Sequence, residues 1–207
     1  LISLEGVEGS GKTTQLNFLA DHLETIGRKV LKVREPGGTE LGERVRTLLL
    51  EKGGAKISPL GELFLYLASR AQLVEEIIRP ALAAGVVVLC DRFLDATVAY
   101  QGYGRGLDVG LIEQINRFIV SDALPDLTFL LDLEAEAGLS RISGRGRDRL
   151  EAEGLAFHER VRKGYLEAAS RNAHRIKVIP ANRGILEIAA EIRGYVIALL
   201  TTLTVEG

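Results

Sequence analysis

A strand-like run, Leu1-Ile2-Ser3-Leu4-Glu5, passes directly into Gly6-Val7-Glu8-Gly9-Ser10-Gly11-Lys12-Thr13, and a helical pattern follows. No other feature restricts the fold as much. The spacing G-x-x-x-x-G-K-T needs a strand to deliver the turn and a helix to receive it, which commits the start of the chain to an α/β layer architecture. Further strands are predicted at residues 29–34, 86–91, 127–133 and 175–179, beside the first at 1–5. Val86-Val87-Val88-Leu89 is apolar at every position, as in a strand covered on both faces.

Between the first two strands, Leu16, Leu19, Ala20, Leu23 and Ile26 recur at helical spacing, and Gly27 supplies a stop. Thr39 can cap a second helix carrying Leu41, Val45, Leu48 and Leu49, which ends at Gly53-Gly54. Ser58-Pro59 opens a long third helix, which Pro80 should kink before Gly85 ends it. Later helices are expected at 155–173 and 185–200. The order β-α-β-α-α-β-α-β-α-α-β-α predicts a mostly parallel sheet with helices on both faces. No repeat or linker-like stretch interrupts it, so residues 1–207 read as one domain.

Composition narrows the function classes. Hydrophobic residues at 46% and charged residues at 26% exclude a disordered or low-complexity chain. The longest apolar runs, 86–90 and 195–200, fall far short of the ~20 residues needed to cross a bilayer. No charged leader with an apolar stretch is seen, and because the chain opens inside an apolar run, a few residues are expected to precede it. The single cysteine, Cys90, fits a reducing compartment, so a cytoplasmic protein is expected, with Cys90 simply packed in its strand. A net charge of −2 argues against a general nucleic-acid coat, so any anion site must be local.

The glycine-rich turn is that local site. Backbone N–H groups must point inward around a phosphate, and side chains at the glycine positions would block the approach. The following helix adds its positive end, Lys12 reaches the outer phosphates and Thr13 can ligate Mg²⁺. This identifies a phosphate-loop (P-loop) fold with a magnesium–nucleoside triphosphate site at Gly6, Val7, Glu8, Gly9, Ser10, Gly11, Lys12, Thr13 and Thr14. Asp91 ends the third predicted strand at the same sheet edge, where it can hold the metal's water shell. The adjacent Arg92 suits a second phosphate group; the bland alternative is a surface ion pair at a strand end. Residues 141–149 hold Arg141, Arg145, Arg147 and Arg149 with two glycines. Such a segment can be a flap over a transferring phosphoryl group, a solvated charged loop, or, least consistently with the composition, a nucleic-acid patch.

Together these pieces resemble the bacterial thymidylate kinase family. The residues that carry the resemblance are 5–14 (EGVEGSGKTT), 34–39 (REPGGT), 66–70 (YLASR), 91–102 (DRFLDATVAYQG), 125–128 (PDLT) and 148–151 (DRLE). The resemblance implies a nucleoside monophosphate kinase with a five-stranded parallel core, usually a homodimer. Its reaction transfers the γ-phosphoryl of ATP, with Mg²⁺, to dTMP. By matching position it implies that Glu8 contacts the acceptor's 3′-hydroxyl and that Arg92 holds its phosphate. Arg34, Glu35 and Pro36 line that side. Arg70 bonds the thymine edge, with Tyr66 against the ring, although Tyr66 also reads as a core aromatic. Thr97 lies near the base with Gln101 close by, and Tyr100 crowds the 2′ position. Lys12, Arg92, Asp91 and the lid arginines, Arg145 first and Arg149 second, are the implied catalytic groups, with the lid at about 141–152. Some members place a catalytic arginine inside the turn; here Gly9-Ser10 stand there and the lid is loaded instead.

Three departures stand out: Phe93 for a frequent tyrosine, Tyr66 for a phenylalanine, and Ser143 where relatives often carry arginine. Two rival functions remain at this level: a kinase for another nucleoside monophosphate, and an ATPase switch that answers to a macromolecular partner.

Overall fold

The computed structural model describes residues 1–53, 56–143, 146 and 148–205. In chain order the elements are β1 (Ile2–Glu5), α1 (Lys12–Thr25), β2 (Val30–Arg34), α2 (Glu40–Leu50), α3 (Pro59–Leu73), a π turn (Val74–Ile78) and α4 (Arg79–Ala83). They continue with β3 (Val87–Asp91), α5 (Leu94–Thr97), a π-helical stretch (Val98–Gly104), α6 (Val109–Val120) and β4 (Leu127–Asp132). The last are α7 (Ala135–Arg141), α8 (Leu155–Arg171), β5 (Ile176–Pro180) and α9 (Ile185–Val205). The predicted strands are all present, and every pairing is parallel, in the order β2-β3-β1-β4-β5.

Local signals start α2 and α3 and stop α1 as expected, while α2 ends at Leu50, before the expected Gly53-Gly54, of which Gly54 lies outside the described residues. The Thr39 and Ser58 side chains accept from Gly42 N and Gly61 N, and Gly27 takes φ +81° just past α1. The kink forecast at Pro80 is a π turn immediately before it. Proline has no N–H to offer the Glu76 carbonyl, so the hydrogen-bond ladder must re-register. The prediction of one helix between β3 and β4 is corrected: the chain makes α5 with its π stretch, and then α6. That first segment is almost wholly buried and carries Gly102 and Gly104, so neither an amphipathic period nor helix propensity marks it. Close approach explains the glycines around it: a Cβ on Gly104 would sit 2.8 Å from the Phe157 ring, and one on Gly164 of α8 would sit 2.8 Å from Tyr103. The π stretch and α8 are thereby drawn together, placing Tyr100 edge-to-face with Tyr165 at 6.2 Å.

The core forms beneath the sheet's carboxyl edge. Leu16, Leu19 and Leu23 of α1 pack with Ile2 and Leu4, while Leu73, Val74 and Ile78 cover Val88 and Cys90 of β3. Cys90 is buried there, and burial raises its thiol pKa, consistent with a packing role. A buried ion pair lies inside: Arg175 donates to both Asp95 oxygens (2.8 and 2.7 Å) and to Thr128 Oγ1. It ties the start of β5 to α5, directly after the Arg92 turn. The chain leaves β1 toward β2 and β3 toward β4, in opposite directions, so a crevice opens between their carboxyl ends.

Removing one partner of a buried pair leaves an uncompensated charge. Arg175→Leu should therefore lower unfolding free energy by about 3–5 kcal/mol, read as a shift in urea midpoint, and Arg175→Leu with Asp95→Leu by less.

Candidate active site

The crevice is a cavity of about 520 Å³, walled by the turn after β1, the ends of β2 and β3, α3, the π stretch and the start and end of the 141–152 segment. Its lower wall is the glycine turn. Gly6, Gly9 and Gly11 take φ +142°, +70° and +95°, conformations open to glycine at little cost. Lys12 Nζ donates to the Gly6 and Val7 carbonyls and lies 3.3 Å from Ser10 Oγ. Burial first, then the charge of Arg92, pushes Lys12 down to about 8. Of the nine turn residues expected at the nucleotide, Glu8, Gly9, Gly11, Lys12, Thr13 and Thr14 line the cavity, whereas Gly6 and Ser10 do not and Val7 packs in the core.

Thr13 Oγ1 donates to Asp91 Oδ2 at 2.6 Å. A hydroxyl and a carboxylate at the mouth of a phosphate turn are hard oxygen donors of the kind Mg²⁺ takes alongside substrate phosphates and water. Among the described residues no group of three or more His, Cys, Asp and Glu could hold a metal by itself. The donor set thus fits an ion brought with a polyphosphate.

Arg92 faces this turn from the end of β3, with φ +68°, an uncommon left-handed conformation for a residue with a Cβ. Such strain costs on the order of 1–3 kcal/mol and persists only where the surroundings impose it. Its Nη1 donates to Gly6 O (2.9 Å) and Tyr165 Oη (3.1 Å), its Nη2 to Glu8 Oε1 (2.5 Å), and the guanidinium lies 5.1 Å from the centre of the Tyr100 ring. Tyr100 Oη also donates to Glu8 Oε1, at 2.9 Å. Burial would raise the Glu8 carboxyl, but Arg92, then Lys12 and Tyr100, outweigh it and hold it near 2, so Glu8 stays ionised. Glu8 is therefore an acceptor of hydrogen bonds here and not a general acid.

The far wall carries Tyr66, Arg70, Thr97, Tyr100 and Gln101, as the resemblance groups them. Arg70 is fully buried and all five of its N–H groups have protein acceptors. Nε and Nη2 meet the Glu35 carboxylate, Nη1 meets Thr97 Oγ1 and Asn116 Oδ1, and Nη2 also meets the Phe93 carbonyl. Gln101 Nε2 donates to Glu62 Oε1 at 2.7 Å. Arg34 lines the opening while paired with Glu43, and Pro36 follows a cis peptide after Glu35.

The 141–152 segment is only partly within view. Arg145 lies outside the described residues. Arg149 does not line the cavity: it donates to Leu49 O (2.7 Å) and Glu62 Oε2 (2.6 Å), joining Arg105 in neutralising a buried carboxylate. Two further cations line it, Arg46, which the sequence reading missed, and Arg141, which it named only within the arginine-rich segment. Arg46 of α2 donates to Pro36 O at 3.0 Å, and Arg141, the last residue of α7, donates to Gly9 O at 3.3 Å. Nothing in the helical pattern of α2 distinguishes Arg46 from its exposed neighbour Arg44. Arg141 was visible only as the first charge of the arginine-rich stretch.

Comparison with known proteins decides the family. Residues 4–192 match the family model for thymidylate kinase. The chain belongs to the thymidylate kinase family. It is 48% identical to the thymidylate kinase of Syntrophotalea carbinolica over 198 residues, covering 92% of each chain, and 51% identical to that of Deinococcus radiodurans over 192 residues, covering 92% and 93%. The crystal structure of thymidylate kinase from Ehrlichia chaffeensis superposes with a TM-score of 0.77 at 38% identity, covering 94% of this chain and 96% of that one. Thymidylate kinases are ATP-dependent phosphotransferases acting on a nucleoside monophosphate, which accords with a phosphate turn and a second cationic cluster in one cavity.

Polyphosphate binding needs Lys12 protonated, so its lowered value sets a limit. The KM for ATP should stay level near neutrality and climb as pH rises above about 8, approaching ~10-fold per pH unit. A KM profile at saturating acceptor checks this, and a flat line into the alkaline range would show that Lys12 titrates higher.

Proposed function

We propose that this chain transfers the γ-phosphoryl of ATP to dTMP, giving ADP and dTDP. The observation that carries the reading is the meeting of Lys12 and Arg92 across one cavity, with Glu8 between them. In this reading the turn holds the triphosphate through Gly6–Thr14 backbone and side-chain groups, and Arg92 takes the acceptor phosphate, with Arg34 and Arg46 beside it. Tyr66 lies against the base and Tyr100 crowds the 2′ position. Glu8 accepts from the 3′-hydroxyl. Arg70 reaches the base edge by sharing an N–H already given to Thr97 or Asn116, while Glu35 keeps its plane fixed. Thr13 and Asp91 would hold Mg²⁺, which supplies charge neutralisation between the phosphates.

The reaction requires in-line placement and neutralisation of charge on the equatorial oxygens. The acceptor phosphate is already largely ionised at neutral pH, with a second pKa of about 6, so no general base is assigned. Lys12 and Arg92 offset the repulsion of two polyanions, and the 141–152 segment adds lid charge, with Arg145 first. Arg149, committed to Glu62, becomes a lid-supporting residue in this reading.

An exposed apolar face supports a homodimer. Leu60 and Phe64 of α3 and Leu111 and Phe118 of α6 are exposed, Phe118 by 86%, on two helices that pack together. A second copy of this chain covers that face in the proposed homodimer. No described helix is long and apolar enough to cross a membrane, and we place the reaction in the cytoplasm, where a buried reduced Cys90 fits.

ADP release with ATP and Mg²⁺ against a panel of nucleoside monophosphates, with a no-acceptor control, is expected to show strong stimulation by dTMP. Equal stimulation by a purine monophosphate would overturn the reading, and acceptor-independent ATPase stimulated by a macromolecule would favour a switch. One methyl group separates dUMP, so preference over it should be only ~10–200-fold. Arg145→Ala should lower kcat by ~10³–10⁵ with little change in dTMP affinity. Phe118→Asp should turn a dimer into a monomer in sedimentation; a monomeric parent protein would refute the assembly.

A further inference from the structure

Two groups that do not line the cavity meet Arg92 from behind. Glu5, the last residue of β1, is fully buried, and its two carboxylate oxygens have different tasks. Oε1 accepts from Phe93 N at 2.6 Å, gripping the peptide directly after the strained Arg92. Oε2 accepts from Tyr165 Oη at 2.8 Å, and that hydroxyl in turn accepts from Arg92 Nη1. One carboxyl group, which burial pushes up to about 8, therefore holds both the backbone and, through one tyrosine, the side chain of the same arginine.

The donors that remain give this a purpose. Both Nη1 protons are spent on Gly6 O and Tyr165 Oη, and one Nη2 proton on Glu8. Among the described residues, Nε–H and the second Nη2 proton have no protein acceptor. Nε and Nη2 share one edge of the planar guanidinium, the edge that can form a fork matching two phosphate oxygens. Anchoring Nη1 fixes the plane and leaves that edge for a ligand. We infer that Glu5 and Tyr165 are positioning residues that lock Arg92 so its Nε/Nη2 edge is presented to the acceptor's phosphate. This rests on the proposed reading of Arg92.

The test is a double-mutant cycle on equilibrium binding of dTMP, with thymidine as the phosphate-free probe and thermal melting of every variant. Tyr165→Phe keeps the ring and removes only the hydroxyl. It should weaken dTMP about three- to tenfold and leave thymidine and the KM for ATP unchanged. In an Arg92→Ala background the same substitution should change nothing further, an outcome that a general packing role would not produce. Glu5→Gln keeps an oxygen for Phe93 N but turns the other contact into a donor. It should weaken dTMP in the same direction, and the Glu5→Gln/Tyr165→Phe protein should be little worse than the weaker single variant.

Unchanged dTMP binding in Tyr165→Phe would overturn the inference, as would equal losses for thymidine or full additivity with Arg92→Ala. If Arg92→Ala itself left dTMP binding intact, the reading of Arg92 would fall and this inference with it. A loss in Arg92→Ala without one in Tyr165→Phe would remove the inference alone.

Discussion

The site depends on one guanidinium held against its own backbone preference. Arg92 sits where β3 ends, in a left-handed conformation that a residue with a Cβ rarely takes. Its position is over-determined: its N–H donates to Leu4 O, its carbonyl accepts from Cys90 Sγ, and the backbone N–H and carbonyl of the next residue, Phe93, are held by Glu5 and Arg70. Buried ionic groups of this kind are costly in general, and a hydrophobic replacement would often be more stable. Here they place a positive charge opposite the phosphate turn in a chain whose net charge is −2.

A second constraint is steric. A Cβ on Gly9 would lie 2.2 Å from the Gly138 carbonyl oxygen, and a Cβ on Gly138 would lie 2.1 Å from that of Glu8. The phosphate turn and α7 therefore touch backbone to backbone, and α7 ends in Arg141, where the arginine-rich segment begins. This packing leaves no room for a side chain at Gly9, one of the two small turn positions set against the arginine-bearing turns of some family members. In the proposed reaction that charge would come from the arginine-rich segment, and its first residue, Arg141, already reaches the turn at Gly9 O.

Acidic residues in and behind the cavity wall organise the cations around them. Glu8 orders Arg92 and Tyr100, Glu35 orders Arg70, and Glu62 takes Arg105 and Arg149. Each pairing fixes a guanidinium plane, which matters because an arginine grips phosphate or a base edge through the direction of its N–H groups as well as its charge. The lowered Lys12 and Glu8 values express one local balance: both groups are buried, but the cations around Glu8 outweigh its burial and favour its charged form, whereas burial and Arg92 disfavour the charged form of Lys12.

The strands, their parallel order of appearance, the helix caps at Thr39 and Ser58 and the phosphate turn were legible in the sequence because each depends on neighbours within a few residues. The family resemblance singled out Tyr66 and Arg70, and the glycine pattern placed Lys12 and Thr13. Folding decided what lies across the gaps. Arg46 and Arg141 join the cavity because α2 and α7 dock beside it, and Arg149 turns from it because a buried Glu62 needs neutralising. Glu5 and Tyr165, 160 residues apart, meet behind Arg92 only because α8 crosses the end of β1. Periodicity records which face of an element is buried, but the partner that a buried polar group finds there depends on packing between distant segments, and that was settled by the tertiary structure alone.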